Sequence, residues 1–308
     1  TFYLYETTDE QEFDWVKLAI WLCDKNNEGG ADGLLIVCPS IVADAKMRVI
    51  NADGSEASMC GNGLRCVARY VCEKLQVSEA LIETMKANLK VKKEQPLFKK
   101  LPTYSVEISP VSFALSSLPM WYKNQEAILN EVIEAFSPTI QFTAVSVPNP
   151  HLIGIVNDYY IKHQSHQFLL AQYLNNENEY CAEGVNVSYV YPMTDDSIYV
   201  RTYERGVGFT NACGTAMTAS ALVANLNGIV KSNVVTVYNP GGFVKCVINK
   251  EDSGYKLLLI GNATIKQLYS LKVIDDSFEW IHCESTGEQV EYEECIKFVE
   301  QQINPYLK

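Results

Sequence analysis

Two stretches of this 308-residue chain place a Cys-Gly pair directly before an apolar, helix-like run: "SMCGNGLRCVARYV" around Cys60 and "NACGTAMTASALVA" around Cys213. A helix N-terminus offers unpaired N–H groups and the positive end of the helix dipole. A thiol at that position is expected to ionise more readily than free cysteine, from about 8.5 toward neutrality. The glycine that follows lets a ligand approach the backbone closely. Each stretch therefore supplies a thiol and an anion cradle. If two such helix mouths face one site, a thiolate can take a proton from one side of a tetrahedral carbon while a thiol returns one to the other side. The outcome is racemisation or epimerisation. A Cα–H is a far weaker acid than a thiol, so the adjoining carboxylate must be stabilised electrostatically as it becomes enediolate-like, with water excluded. Two helix N-termini aimed at one carboxylate do this without a metal. A single Cys-Gly pair before a helix is more often a packing feature, and two at matching places of a duplication could simply be inherited twice.

The matching places define a duplication. Cys60 and Cys213 lie 153 positions apart, and the same offset lays "GLLIVCP" (33–39) on "NVSYVYP" (186–192). It also lays "KMRVIN" (46–51) on "YVRTYE" (199–204), Arg48 over Arg201, and "ALIETMKANLKVK" (80–92) on "NVVTVYNPGGFVK" (233–245). Each copy reads helix, buried strand, second strand, turn, Cys-Gly, helix, strand pair. The first helix, near 10–27, carries Phe13, Val16, Ile20 and Cys23 at helical spacing, acidic residues in its first turn, and Gly29-Gly30 as its stop. "AMTASALVANL" (216–226) has no charge and "LRCVARYVC" (64–72) is nearly as apolar, so both helices must be surrounded by protein. The predicted fold is α/β of the α+β type: two pseudo-symmetric domains, each a curved, mainly antiparallel sheet wrapped round a central helix. The boundary falls near "ISPVSFALSSLP" (108–119), so the first domain runs to about 116. The tail 276–308 lies outside the duplication and contains an amphipathic helix around "VEYEECIKFVEQQI".

Composition removes other classes. A net charge of −12, with no basic cluster beyond "KVKK" and a later "KK", argues against nucleic acid or an anionic membrane as partner. No apolar run approaches the roughly 20 residues of a membrane span, and "TFYLYETTDE" has no signal-peptide pattern. The ten cysteines include no Cys-x-x-Cys, and His151, His163, His166 and His282 form no paired ligand motif, so no metal is expected. Nothing signals pyridoxal phosphate or another cofactor. A chain this long needs no disulfide staples, which points to a reducing, cytoplasmic setting with Cys23, Cys66, Cys72 and Cys246 as packing residues. The expected partner is a small molecule; a homodimer is compatible with the sequence, which does not set the assembly.

"NADGSEASMCGNGLRC" (51–66) and "ERGVGFTNACGTA" (204–216) closely resemble the two signature segments of the diaminopimelate epimerase family, whose members use no cofactor. "GADGLLIV" (30–37), "NPH" (149–151), "GVNVSYV" (184–190) and "NPGG" (239–242) resemble its lesser landmarks in the right order, so the likeness spans about residues 1–275. It implies paired pseudo-symmetric domains. It also implies that the last strands return to the first domain, which would then comprise 1–116 with 262–308, the second being 117–261. By position, Cys60 and Cys213 resemble the acid/base pair, while Gly61, Asn62, Gly214 and Thr215 would hold the reacting carboxylate. Asn51, Asn149, Asn186, Glu204 and Arg205 match the residues that grip the distal amino-acid end of the substrate, and His151 and Glu204 resemble residues that tune the cysteines. Taken alone, His151 in "NPHLIG" reads as a satisfied structural histidine and Asn186 as a strand-edge residue.

The chain departs from the family in places. The family's first strand usually ends Gly-Asn-Asp-Phe, with an Asn that touches substrate, whereas this sequence opens at Thr1-Phe2 as though cut just after it. Phe209 stands where Glu is common, Asn211 where an apolar residue is, and Ala216 for a frequent Gly. The resemblance implies interconversion of LL- and meso-diaminopimelate, which supplies meso-diaminopimelate and lysine. A racemase of another amino acid, such as histidine, would have no use for a second carboxylate clamp. A binding protein on the same scaffold would need neither thiol. The proline-racemase and phenazine-isomerase relatives share the doubled architecture, but their cysteine segments are less similar.

Overall fold

The computed structural model describes residues 1–26, 30–252, 254–274 and 277–307; the expected helix stop at Gly29 lies outside them. The chain divides into two compact units, Thr1–Val106 with Gly261–Glu294, and Glu107–Ile260 with Cys295–Lys308. The first break thus falls at the start of the Pro- and Ser-rich stretch, about ten residues before the expected domain end at 116, and the end of the tail groups with the second unit rather than the first.

In the first unit the strands β1 (Phe2–Glu6), β2 (Gly33–Cys38), β3 (Ala45–Asn51), β4 (Glu79–Glu83), β5 (Asn88–Glu94) and β6 (Thr103–Ile108) pair in that order. β1–β2 and β3–β4 are parallel; the other pairs are antiparallel. Helix α1 (Trp15–Cys23) is N-capped by Asp14, whose carboxylate accepts from the Lys17 N–H. Its buried face is Trp15, Leu18, Ala19, Leu22 and Cys23, while Val16 and Ile20 are half exposed. The Val16/Ile20 face expected from helical spacing is therefore the outer one. "WVKLAIWLC" is apolar almost all round, so periodicity could not choose between its faces. Helix α2 (Gly61–Leu75) contacts strands β1 to β5. Its two arginines are buried with hydrogen-bond partners: Arg65 donates from Nε to the Asn262 carbonyl, and Arg69 donates to the Ala263 carbonyl, Glu73 and both oxygens of Glu288.

In the second unit β7 (Glu131–Val132), β8 (Gln141–Ser146), β9 (Pro150–Ile155), β10 (Asn186–Thr194), β11 (Ser197–Glu204), β13 (Val234–Asn239), β14 (Gly242–Glu251) and β15 (Gly254–Asn262) pair in that order, and the short β12 (Gly208–Thr210) folds back on β11. Helices α3 (Asp158–Lys162) and α4 (Ser165–Asn175) add to one hydrophobic core with β8–β11. Helix α5 (Gly214–Leu226) is buried continuously from Gly214 to Ala224, among strands β8, β9, β10, β11, β13 and β14. A helix with no charge and no wet face is stable only in such a wrapping.

The duplication survives in the hydrogen-bond ladders. Parallel β1–β2, antiparallel β2–β3, parallel β3–β4 and antiparallel β4–β5 recur as β9–β10, β10–β11, β11–β13 and β13–β14. Even register is kept, with Leu35 opposite Val49 in one copy and Ser188 opposite Thr202 in the other. An aromatic hairpin, β16 (Gln267–Ile274) with β17 (Ser277–Ser285), belongs to the first unit, where Trp280 and Phe278 pack against Trp21. The tail forms α6 (Glu288–Leu307), and its Ile303 and Leu307 pack on the second-unit core.

Candidate active site

Cys60 is the N-cap of α2, and its sulfur accepts the Gly63 N–H at 3.3 Å. Gly61 and Asn62 follow as the first helical residues. Gly63, which the sequence reading passed over, makes the arrangement fit: a Cβ there would lie 2.7 Å from Leu35 Cδ2 and 3.4 Å from the Cys60 sulfur. Asn51 ends β3, and its amide donates to the Ser55 hydroxyl at 3.0 Å, inside the turn that leads to Cys60.

Cys213 is the N-cap of α5 in the corresponding place, buried, with the Thr215 hydroxyl 3.5 Å from its sulfur. Gly214 and Thr215 are buried at the helix mouth. Burial, reinforced by the Glu204 carboxylate, pushes the Cys213 thiol well up, while Thr215 and the Ala216 N–H oppose this weakly. The expectation of a thiol lowered by its helix end therefore fails for Cys213, because desolvation and a neighbouring negative charge both favour the neutral form.

The remaining second-unit candidates form a connected group. His151 on β9 pairs in register with Asn186 on β10. The Asn186 amide donates to the Pro150 carbonyl at 3.1 Å, and its oxygen accepts the Arg205 N–H at 2.9 Å. Asn149 precedes β9, its carbonyl accepting from Val147. Arg205 is exposed; among the described residues its guanidinium donates to the Glu183 carbonyl alone, from Nη1 at 2.8 Å. Its stem lies over Gly184, where a Cβ would come within 3.1 Å of Arg205 Cδ. The Nε/Nη2 edge is thus open to a carboxylate, the edge that Arg48 uses on Glu56 in the first unit.

His151 is not the satisfied structural histidine its local sequence suggests. It is fully buried, neither ring nitrogen has a hydrogen-bond partner among the described residues, and desolvation with the nearby Arg205 charge pushes it down to about 3. It is a neutral imidazole beside the cation that would clamp substrate. Among the described residues no cluster of three or more His, Cys, Asp or Glu could hold a metal, and no helix is long and apolar enough to cross a membrane.

Comparison with known proteins points to one family. The family model for diaminopimelate epimerase matches residues 2–98 and 143–266. Curated diaminopimelate epimerases are similar over nearly the whole chain. That of Listeria monocytogenes is 47% identical across 97% of this chain and 94% of its own, and that of Enterococcus faecalis is 46% identical across 92% and 90%. Among solved structures, a PhzF-family phenazine biosynthesis protein from Bacillus anthracis matches with a TM-score of 0.55 at 13% identity, covering 82% of this chain and 86% of its own. A hydroxyproline epimerase from Agrobacterium vitis matches with a TM-score of 0.52 at 14% identity, covering 80% of each. At those identities the likeness establishes the doubled fold alone.

Proposed function

The chain belongs to the diaminopimelate epimerase family, and we propose from this premise that it interconverts LL- and meso-2,6-diaminopimelate with its own two thiols and no cofactor. One thiolate removes the Cα proton, the other thiol delivers a proton to the opposite face, and the thiols end the turnover with their protonation exchanged. Burial and Glu204 favour the proton-bearing form of Cys213, which makes it the donor when Cys60 enters as base. In this reading the carboxylate next to the reacting carbon is assigned to the helix-mouth residues Gly61, Asn62, Gly214 and Thr215. Their N–H groups and dipoles strengthen on it as negative charge builds up.

The distal end of the substrate sets specificity in this reading. Arg205 offers its open edge to the distal carboxylate, Glu204 with Asn51, Asn149 and Asn186 orients the distal ammonium and carboxylate, and neutral His151 adds no competing charge. Only one configuration at the far centre presents both groups correctly, so one centre is epimerised and the other left alone. The free thiols this chemistry needs suit the reducing cytoplasm. The observation that carries the proposal is the same N-cap position filled by cysteine in both copies of the duplication. It is tested by incubating the protein in heavy water with LL- or meso-diaminopimelate beside a panel of monocarboxylic amino acids. Deuterium should enter one Cα of diaminopimelate; label entering a monocarboxylate faster would refute the substrate.

A further inference from the structure

The two thiols cannot be equivalent, and the duplication identifies where they are made different. At the offset that relates Cys60 to Cys213, Asn51 corresponds to Glu204, Glu56 to Phe209 and Ala57 to Thr210. Both copies run the same turn from the end of the second strand back to the thiol. In the first the Ala57 N–H bonds the Val49 carbonyl; in the second Thr210 pairs with Thr202. The side chains differ in kind. The first copy has a neutral amide and a methyl group. The second has a carboxylate that takes a hydrogen bond from the Thr210 hydroxyl and acts on the Cys213 sulfur.

Phe209 suits this arrangement. In the first copy the equivalent Glu56 is held by a bidentate pair with Arg48. In the second, Phe209 lies 5.6 Å under the Arg201 guanidinium and edge-on to Tyr203 at 5.3 Å. The aromatic contacts anchor β12 against β11 without adding another carboxylate beside Glu204.

We propose that Thr210 is a positioning residue of the second thiol: its hydroxyl fixes the Glu204 carboxylate against Cys213 and thereby breaks the proton symmetry of the duplicated site. This rests on the epimerase reading for its purpose, though not for its physics. The groups acting on Cys213 are Glu204 from β11 and, from α5, the Thr215 hydroxyl and the Ala216 N–H. His151 on β9, which also packs against α5, is neutral, and Arg205 follows Glu204 in the chain. When the hydroxyl is removed, the carboxylate loses the donor that holds it in place beside the sulfur, so the Cys213 proton is held less firmly.

The test is the pH dependence of Cys213 alkylation by iodoacetamide, read peptide by peptide by mass spectrometry on the intact chain without substrate. Thr210→Ala, which installs the first-copy residue, should move the Cys213 midpoint down by about one pH unit, roughly tenfold faster alkylation at a pH below both midpoints. The Cys60 profile should not move. Thr210→Ser should keep the parental midpoint, and Thr210→Ala should add no further shift in a Glu204→Gln background. An unchanged or raised midpoint in Thr210→Ala, an equal shift in Thr210→Ser, or a shift that persists without the carboxylate would overturn the proposal. Because no substrate is present, none of these results depends on which amino acid the enzyme epimerises.

Discussion

Arg205→Lys separates the distal clamp from the thiol chemistry. Arg205 spends Nη1 on the Glu183 carbonyl and leaves its Nε/Nη2 edge for a two-point contact with a carboxylate. Lysine keeps the charge but has no planar fork and cannot reproduce both contacts. Losing one hydrogen bond to a charged group costs about 1.5–3 kcal/mol, which predicts a fall in kcat/KM for diaminopimelate of roughly 10- to 150-fold. Arg205→Ala, which removes the charge as well, should lie beyond that range. The assay is epimerisation of LL- and meso-diaminopimelate with folding checked by thermal melting, because Gly184 packs on the arginine stem. Background deuterium exchange into a monocarboxylic amino acid should change much less, since it offers nothing for the clamp. Near-parental turnover of diaminopimelate by Arg205→Lys, or an equal loss on both substrates, would refute the assignment of Arg205 to the distal carboxylate.

Stability should fall as the medium is acidified through the His151 range. The folded imidazole is pushed down to about 3, against about 6.5 when unfolded, so below pH 6.5 the unfolded state binds the extra proton. At pH 5 this single group costs about 2 kcal/mol relative to neutral pH. His151→Asn should flatten the decline in melting temperature between pH 7 and 5, and a slope unchanged in the variant would contradict the buried neutral imidazole. Gly63→Ala forces a methyl group against Leu35 and the Cys60 sulfur. The expected cost is about 1–3 kcal/mol in denaturant melts, with a fall in kcat; a variant as stable and as active as the parent would show that neither neighbour is confined.

The helix mouths were legible because their signal is local: a cysteine, a glycine and an apolar run determine N-cap, cradle and buried helix together. The offset carried further than sequence patterns usually do, down to strand register, because both copies keep the same chain separation between paired residues, Leu35 to Val49 across β2–β3 and Ser188 to Thr202 across β10–β11. The face of α1 was misread because Trp15, Leu18 and Leu22 compete with Val16 and Ile20 on a helix apolar all round. Its covering partners, Phe278 and Trp280, come from the distant β16–β17 hairpin. The raised Cys213 thiol was missed for a related reason. A helix-end rule sees the dipole, whereas the dominant influences are burial and a carboxylate delivered by β11. Thr210 was invisible until β12 was seen to fold back on β11. Glu183 was equally hidden, since it takes part through its backbone carbonyl, which any residue carries.

The account depends above all on two thiols sharing one turnover, and single-cysteine variants test that most directly. Purified LL- and meso-diaminopimelate would each be offered to the parent, to Cys60→Ala and to Cys213→Ala, with interconversion followed by chiral chromatography and folding checked in parallel. The prediction is that each variant folds, and that each loses interconversion in both directions, because removal and redelivery of the proton need opposite partners. A folded variant that still converts LL to meso at a substantial fraction of the parental rate would mean that one thiol suffices, and the two-thiol mechanism would be wrong.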